Sequence, residues 1–391
     1  MASVMQTTPR AISAPLDKVV VPSQMATNDQ AFGSGTLANP QFRIQTVYTA
    51  NQFPGEPILI KELRYRPDYY YGNAFSTTIA NIQINLSTTS AMPEVLNSDF
   101  SANVGSDDKV VLEPGSLTIS SEFRGPSEGP KAFDIVIHLD KPFYYNRLAG
   151  NLLVDVRNYS GSSASLLSGA GIDGDGASRV SGSLSSPTGV ADDGADAMEI
   201  GYQTLSSVIV PHETNSFAFG SGTLANSDFR IQEVYASTLF PTNSIRIRAI
   251  RFQPDWYYGN PFSTTIEDFQ VNMSTTKAAP DVLSSTFARN VGTDDVKVLD
   301  GSVDISSAFT GPMYGPKDND IVIPLTKAYT YNPANGNLLI DIRNSSGSGA
   351  SLLGGSPIYG DGASRVGGSL SSPTGVADSG ADEIELDYTP E

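Results

Sequence analysis

Apolar and polar residues alternate at period two along many short segments of this chain. Gly, Pro, Asn and Ser bound these segments, of which clear examples are Phe42–Tyr48, Ile58–Tyr65, Ile79–Leu86, Asp134–Leu139 and Leu152–Arg157. Such alternation is typical of strands with one buried and one exposed face. Only Pro93–Phe100 and its counterpart Pro280–Phe287 favour a helix, of one or two turns. The pattern therefore predicts an all-β protein.

The chain also contains the same pattern twice. The stretch FGSGTLANPQFRIQTVY at Phe32 returns at Phe219 as FGSGTLANSDFRIQEVY, and the match runs to the C-terminus with one deletion opposite Pro114. This period is far too long for a solenoid repeat. Val-rich runs, Val19–Pro22 and Val208–Pro211, open the two copies, so we expect a short, ordered junction at about residues 203–218. The sequence predicts two tandem, homologous, jelly-roll-like β-sandwich domains at 18–204 and 205–391, after a polar tail at 1–17.

Composition limits the classes of function. The 391 residues include 36 Gly, 25 Pro, 17 Tyr and 17 Phe, which is typical of strands and turns. A formal net charge of −18 argues against nucleic-acid binding, which depends on Lys and Arg, and favours solubility and cation binding. Because there is no cysteine, thiol nucleophiles, disulfides and Cys-based zinc sites are excluded. No apolar run near the N-terminus has the length of a signal peptide, and nowhere do about 18 apolar residues follow one another, so the sequence predicts no membrane insertion of this form of the chain.

An aromatic cluster is the sharpest local feature, with RPDYYYGN at 66–73 and QPDWYYGN at 253–260. Apolar sugar faces stack on planar rings, while amides and carboxylates bind hydroxyls. The predicted carbohydrate-binding residues are Tyr69, Tyr70, Tyr71, Asn73, Trp256, Tyr257, Tyr258 and Asn260. In the alternative interpretation, Pro-Asp begins a turn and alternate rings point into the core with their hydroxyls hydrogen-bonded.

Paired acids form a second candidate site. They occur as GSDD at 105–108 and GTDD at 292–295, and a further loop reads DGDG at 173–176 against YGDG at 359–362. Calcium prefers about six to eight oxygen ligands, which flexible Asp-rich loops can supply. The predicted cofactor is calcium, and the predicted ligands are Asp107, Asp108, Asp175, Asp294, Asp295 and Asp361. Neither loop has the spacing of a known calcium loop, so solvated turn acids are the alternative.

A Ser- and Gly-rich stretch is nearly identical in the two copies, at Gly174–Asp196 and Gly360–Asp382. Such a composition normally allows drift in a loop. One interpretation is that the stretch lines a ligand or domain contact, with Arg179 and Arg365 paired to nearby Asp. The other is recent duplication or gene conversion.

Catalytic signatures are weak. The two histidines, His138 and His212, have no matched partner in the other copy, so no catalytic triad or two-His metal site can exist in both copies. Phosphate-binding loops and dinucleotide fingerprints are absent from the sequence. The sequence has 42 acidic residues, so a catalytic carboxylate pair like that of glycosidases is left as an alternative. The sequence predicts no catalytic residue and leans against an enzyme.

Three phrases carry a resemblance to a known class of proteins: FSTTIANIQINLSTT from Phe75, PDVLSSTFARNVGTDD from Pro280 and GPKDNDIVIPLTKAYTYNPANGNLLIDIRN from Gly315. They resemble the globular domain of bacterial exported proteins of the PEP-CTERM, exosortase-sorted class. The resemblance implies a secreted or cell-surface β-domain associated with exopolysaccharide, mostly without assigned activity. The chain as written lacks the leader and apolar anchor of that class and carries the domain twice, so we expect a mature, extracellular or cell-surface form.

Together these observations predict a non-catalytic tandem β-sandwich protein that binds glycan or exopolysaccharide, or builds surface structure. Its expected partners are a polysaccharide or another surface component, and self-association is possible. One alternative is a polysaccharide-active hydrolase or lyase on the same scaffold. Another is a subunit of a surface filament or virus-like assembly.

Overall fold

The structure is a computed structural model that describes residues 15–211 and 217–391. The all-β prediction is confirmed, because 51% of the chain is strand and 5% is helix. The six helices in the described ranges are 3-10 turns of three or four residues: Ser23–Ala26, Ala50–Gln52, Phe100–Asn103, Ser237–Leu239, Phe287–Arg289 and Pro333–Asn335. None of these turns is long and apolar enough to span a membrane.

The first half of the chain forms twelve strands. These are β1 (Asp17–Val21), β2 (Phe42–Tyr48), β3 (Ile58–Tyr65), β4 (Phe75–Thr89), β5 (Lys109–Ser121), β6 (Ile135–Tyr145), β7 (Asn151–Asn158), β8 (Gly169–Gly171), β9 (Ala177–Ser183), β10 (Val190–Asp192), β11 (Gly194–Asp196) and β12 (Met198–Thr204). They pair as a four-stranded sheet β1-β12-β3-β6, a six-stranded sheet β10-β9-β2-β7-β4-β5 and the small pair β11-β8.

The second half repeats this arrangement. Its strands are β13 (Ser206–Val210), β14 (Ser227–Tyr235), β15 (Ile245–Phe252), β16 (Phe262–Thr276), β17 (Val296–Ser307), β18 (Ile321–Tyr331), β19 (Asn337–Ser346), β20 (Gly355–Ser356), β21 (Ala363–Ser369), β22 (Val376–Asp378), β23 (Ala381–Asp382) and β24 (Ile384–Pro390). The sheets are β13-β24-β15-β18, β17-β16-β19-β14-β21-β22 and β20-β23. The strand order therefore matches that of the first half.

In each half the apolar core lies between the four-stranded and the six-stranded sheet. In the first half, Ile60 and Leu63 of β3 belong to the same buried cluster as Ile44 of β2 and Ile84 of β4. A separate buried cluster has the matching composition in the second half. Apolar residues of two facing sheets that pack into one cluster are the arrangement of a β-sandwich. The jelly-roll assignment and the domain boundaries stay predictions.

The predicted helix at Pro93–Phe100 is wrong in position. That segment is a turn, and the 3-10 helix begins only at Phe100, where the Asp99 side chain accepts a hydrogen bond from Ser101 N. Glu94 has a positive φ of 67°, and Asp281 in the matching segment has 65°. This left-handed conformation is incompatible with continuing a right-handed helix.

The junction between the halves is short. A single residue, Leu205, separates β12 of the first half from β13 of the second. The part of the predicted junction at 212–216 lies outside the described residues. Leu205 belongs to a buried cluster with Leu59 and Tyr144 of the first half and Ala249 and Val322 of the second. The two halves are thus in direct apolar contact beside the junction.

This contact joins different surfaces of two similar units. Leu59 and Leu205 are matched in the second half by the exposed charged residues Arg246 and Glu391, and Ala249 is matched in the first half by Glu62. When two unlike surfaces of similar units bind each other, the same contact can add further units and form a chain or filament. Because these three matching positions carry charged side chains, the same apolar contact would be unfavourable between further copies of these surfaces.

Candidate binding surface

The aromatic loop of the first half is anchored by a buried carboxylate. Asp68 is fully buried, and its Oδ1 accepts hydrogen bonds from the backbone N–H groups of Tyr70 and Tyr71 at 2.9 and 2.8 Å. Its Oδ2 accepts from Phe32 N at 2.7 Å and Gly33 N at 3.0 Å. Four N–H donors around one carboxylate compensate the loss of solvent. Asp68 therefore fixes the loop to the FGSG segment at 32–35.

The second half reproduces this anchor. Asp255 accepts from Phe219 N and Gly220 N at 2.6 and 2.9 Å and from Tyr257 N and Tyr258 N at 2.8 Å each. The sequence predicted that the aspartates of these loops either bind ligand hydroxyls or begin a turn; both carboxylates are fully buried and hold the turn. Their contact with the FGSG segments was not predicted. The repetition of FGSG in both copies was the signal that could have identified them.

In each anchored loop, the glycine that follows the aromatic residues lies close to the backbone of the anchoring aspartate. A Cβ added to Gly72 would lie 2.4 Å from the carbonyl oxygen of Asp68, and one added to Gly259 would lie 2.3 Å from that of Asp255. Only glycine permits this approach. The Gly that follows the aromatic residues is therefore required by the turn.

The anchored loops present their rings to solvent. Tyr70 and Tyr71 are 68% and 52% exposed, and Tyr257 and Tyr258 are 65% and 52% exposed. Each pair packs edge to face, with ring centroids 4.8 Å apart and interplanar angles of 85° and 88°. None of the four belongs to a core cluster of the described residues. The alternative in which these rings fill the core does not hold.

The second half carries the larger aromatic surface. Trp256 is half-buried and packs edge to face against Tyr257 at 5.5 Å and Tyr314 at 6.0 Å. Tyr314 and its neighbour Met313 are 77% and 79% exposed. The Trp256 Nε1 atom is shielded from solvent and has no hydrogen-bond acceptor within the described chain. We call Trp256, Tyr257, Tyr258, Met313 and Tyr314 the aromatic patch.

The first half has no counterpart of the added ring, because Ser127 and Glu128 stand where the second half has Met313 and Tyr314. Tyr69 takes the place of Trp256 and packs at 6.3 Å from Tyr70. The halves thus share one loop design but differ in apolar area.

The predicted asparagines lie beside the rings. Asn73 and Asn260 are exposed, and their backbone N–H groups donate to Ser165 Oγ at 2.9 Å and Ser351 Oγ at 3.0 Å. These bonds hold the backbone and leave the side-chain amides at the surface, where amides can donate to or accept from a hydroxyl-bearing ligand.

The near-identical stretches support the same loops from behind. Arg179 Nε donates to Asp192 Oδ1 at 2.8 Å, and the Arg179 guanidinium lies 4.7 Å from the centroid of the Phe32 ring. Arg365 repeats this contact with Asp378, at 3.0 Å, and with Phe219, at 4.5 Å. The predicted Arg–Asp pairs are therefore present. They position the FGSG segments to which the aromatic loops are bound.

The paired acids hold backbone loops together. Asp107 Oδ1 accepts from Thr88 N at 2.6 Å, and Asp108 Oδ2 accepts from Asn85 Nδ2 at 2.8 Å. In the second half, Asp294 and Asp295 accept at the matching positions, from Thr275 N and Asn272 Nδ2, both at 2.8 Å. Asp175 accepts from Gln24 Nε2 at 3.0 Å and Ala177 N at 2.9 Å, and Asp361 accepts from Ser356 Oγ and Ala363 N at 2.5 and 2.9 Å.

The structure does not bring these acids into one cluster. Within 15–211 and 217–391, no group of three or more His, Cys, Asp or Glu side chains is arranged to hold a metal ion. Each predicted ligand instead has a donor from the protein. Calcium binding at these loops stays a prediction.

The pKa values of Asp107 and Asp294, at matching positions of the two acidic loops, are shifted in opposite directions. Burial raises the pKa of Asp107 to about 6, and its Oδ2 is shielded without a hydrogen-bond donor. Burial also acts on Asp294, but hydrogen bonds from Thr275 and the Tyr329 hydroxyl outweigh it and lower the Asp294 pKa. Phe143 stands in the first half where the second has Tyr329. The two loops thus differ both in the burial of the carboxylate and in this hydroxyl.

A groove of about 800 Å³ lies between the halves, next to Asp107. Its lining is rich in hydroxyl and carboxylate side chains, including Ser106, Thr264 and Asp304, and contains no aromatic ring. Ser106 Oγ accepts a hydrogen bond from Asp304 N at 3.1 Å across the groove. Stacking on a sugar face is therefore possible at the aromatic loops and not in this groove.

The carboxylates and histidines form no evident catalytic site in the described chain. His138 is exposed, with its Nδ1 2.9 Å from Glu62 Oε2, and His212 lies outside the described residues. Glu233 and Asp382 are buried neighbours, with Asp382 N donating to Glu233 Oε1 at 2.7 Å. Since both lie within the sandwich, a substrate could not reach them without unfolding the sheet.

Comparison with known proteins leaves the family open. No family model matches the chain, and no curated protein matches it. Similar solved structures include that of the Macrobrachium rosenbergii nodavirus, at 9% identity over 99% of this chain and 94% of that one, with a TM-score of 0.16. They also include the infectious bursal disease virus VP2 subviral particle, at 9% identity over 98% and 74% of the two chains, with a TM-score of 0.14. At such TM-scores the likeness carries no argument about fold or function.

Proposed function

We propose that this is a non-catalytic protein of the cell surface or extracellular matrix that binds glycan through its aromatic loops. The observation that carries the proposal is the aromatic patch, in which Tyr257, Tyr258, Met313 and Tyr314 are each more than half exposed around Trp256. Exposed apolar clusters of this kind mark interaction sites. The resemblance to exosortase-sorted proteins supports the location and the class of ligand.

Glycan suits the chemistry of these loops. A ring offers a flat apolar face to the C–H face of a sugar, and the exposed Asn73 and Asn260 amides offer both donors and acceptors to hydroxyls. No lysine or arginine belongs to the aromatic patch, so its attraction does not depend on a charged ligand. The loop of the first half is a second, smaller site of the same design.

The anchoring carboxylates favour binding because they order the loops before the ligand arrives. Asp68 and Asp255 each hold four backbone N–H groups, so the loop backbone loses little further conformational freedom on binding. Two sites on one chain also raise the apparent affinity for a repeating polymer when both can be occupied together. A matrix polysaccharide is such a polymer.

Affinity electrophoresis in gels that contain individual polysaccharides tests this function. Retardation of the wild type by at least one polysaccharide is expected, and Tyr257→Ala combined with Tyr314→Ala should weaken it about tenfold or more. Tyr359→Ala is the matched control, because Tyr359 is 77% exposed and lies outside the aromatic patch. Equal retardation of the double variant and the wild type would show that the patch is not the site.

Two further measurements separate the alternatives. Release of reducing ends or unsaturated sugars from a bound polysaccharide would identify a polysaccharide-active enzyme instead. Particles much larger than one chain, seen by light scattering without any glycan, would identify an assembly subunit. A protein that binds no polysaccharide in the panel would contradict the proposal.

A further inference from the structure

A second candidate site lies at matched β-bulges of the two halves. In β15 the pairing shifts between Ile247 and Ala249, so Arg248 has no partner in β18 or β24. In β3 the pairing with β6 shifts between Ile60 and Glu62, which leaves Lys61 in the matching position. A bulge releases a residue from the ladder and redirects its side chain.

Packing of the halves brings these two bulges together. Leu59 and Ala249 belong to one buried cluster across the boundary; Leu59 lies two residues before Lys61, and Ala249 directly follows Arg248. Burial and the charge of Arg248 lower the pKa of Lys61. Burial, Arg248 and Lys141 lower the pKa of Lys109. Three cationic side chains therefore face the same region in a protein whose net charge is −18.

Arg248 forms no ion pair within the described chain. Its side chain is half-buried, its Nε is shielded from solvent without an acceptor, and no carboxylate of the described chain lies within ion-pair distance. The neighbouring Arg246 does approach a carboxylate, that of Glu391 at 4.0 Å. The Glu391 carboxylate also acts on Arg248 at longer range, but burial and the charge of Arg246 outweigh it and lower the pKa of Arg248. A partly buried guanidinium without an ion pair is unfavourable, and two nearby lysines add like-charge repulsion.

The lysines keep donors available. Lys61 Nζ donates to Gln203 Oε1 at 2.7 Å, and Lys109 Nζ donates to Pro142 O at 3.2 Å. An ammonium group has three N–H donors, so each lysine can donate further. The guanidinium of Arg248 offers the paired N–H groups that bind sulfate or carboxylate in a bidentate manner.

We propose that Arg248 and Lys61, assisted by Lys109, form an oxyanion site at the boundary of the two halves, which takes a sulfate or carboxylate group. A free anion and an acidic sugar of a polysaccharide share this chemistry. The site is separate from the aromatic loops and does not depend on their function. Since its donors come from both halves, a bound anion would stabilise the contact between them.

Thermal unfolding in sodium sulfate and in sodium chloride of equal ionic strength tests the site. Sulfate at about ten times its Kd should raise the Tm of the wild type by about 1–3 °C more than chloride does. Sulfate also stabilises proteins without binding, so variants provide the comparison. Arg248→Gln and Lys61→Gln should lose the specific rise, while Arg289→Gln, which removes an exposed positive charge elsewhere, should keep it.

In chloride, Arg248→Gln should melt at the same temperature as the wild type or higher, because the repulsion from the lysines is relieved. A lower Tm together with an undiminished sulfate response would overturn the proposal, as would equal responses of Arg248→Gln and Arg289→Gln. Galacturonate oligomers and neutral galactose oligomers identify the source of the anion. A rise with sulfate alone assigns a free ion, a rise with the acidic oligomer as well assigns an acidic glycan, and no rise with either would contradict the site.

Discussion

The hydroxyl of Tyr144 donates a 2.6 Å hydrogen bond to Oδ2 of Asp387, across the boundary between the two halves. Asp387 also accepts from Arg251, whose Nη2 lies 2.9 Å from Oδ1. Neither partner has an equivalent in the other half, where Thr330 and Gly201 stand at the matching positions. The two copies have therefore diverged where they contact each other.

Tyr144→Phe should lower the free energy of unfolding by about 1–3 kcal/mol, because it leaves the buried Asp387 carboxylate without one of its donors. Chemical denaturation of the full chain measures this loss. Tyr359→Phe, at an exposed site, is the control and should change nothing. A double-mutant cycle with Asp387→Asn should show coupling, and additive effects would contradict a direct interaction.

Phe143→Tyr should give the first half the hydroxyl that Tyr329 supplies in the second. The added O–H can donate to the free Oδ2 of Asp107, so the pKa of Asp107 should fall below its present value of about 6. Titration of the side-chain carboxyl by carbon-13 NMR measures it. In the reciprocal variant, Tyr329→Phe, the pKa of Asp294 should rise, and an unchanged pKa in both variants would show that the hydroxyl is not the cause.

Glu233→Gln should stabilise the protein at neutral and alkaline pH. Burial and the charge of Asp382 raise the pKa of Glu233 well above its ordinary value. Because the folded pKa is raised, the folded state binds the extra proton, and stability falls as pH rises from the unfolded pKa through the folded one. The neutral amide avoids this loss, so the gain should be about 1–3 kcal/mol at pH 8 and smaller at pH 5. Equal gains at the two pH values would contradict the assignment.

Millimolar calcium should raise the melting temperature if the acidic loops bind it, because an ion bound only to the folded state adds RT ln(1 + [L]/Kd). For a micromolar site this is about 4 kcal/mol. Asp295→Asn should reduce the effect, whereas Asp268→Asn, at an exposed position outside the predicted set, should not. Melting curves that coincide in calcium and in chelator would show that calcium does not bind the folded protein.

Trp256→Ala should weaken glycan binding and lower the unfolding free energy by less than the roughly 3–5 kcal/mol that loss of a core tryptophan costs. The ring is half-buried and outside the core clusters, so its removal leaves no closed cavity. Trp256 is also the only tryptophan, and its fluorescence reports on this site alone. Emission that neither a soluble quencher nor a glycan affects would mean that the ring is inaccessible in solution.

Much of the β-structure could be read from local pattern. Phe42–Tyr48 and Ile58–Tyr65 are strands with the bounds that alternation predicts, since side chains of a strand point alternately to its two faces. The helix predicted at Pro93–Phe100 does not form, because Glu94 adopts a left-handed backbone conformation. This conformation depends on where the chain must turn, which the local sequence does not indicate. The rings of the aromatic loops were identified from composition, whereas the Asp68 anchor involves Phe32, 36 positions away.

The amino-acid sequence alone determined the all-β class, the duplication, the excluded chemistries and the residues of the aromatic loops, because each depends on residue type or on short-range periodicity. Only the tertiary structure decided that those rings face solvent, that the paired acids hold backbone loops, and that the charge of Arg248 acts on Lys61 at the boundary. These facts depend on which distant segments pack together, and burial, pKa and the choice of partner follow from that packing. The Tyr144–Asp387 bond shows the difference: both residues are visible in the sequence, but they come together only when the two halves of the chain fold and pack against each other.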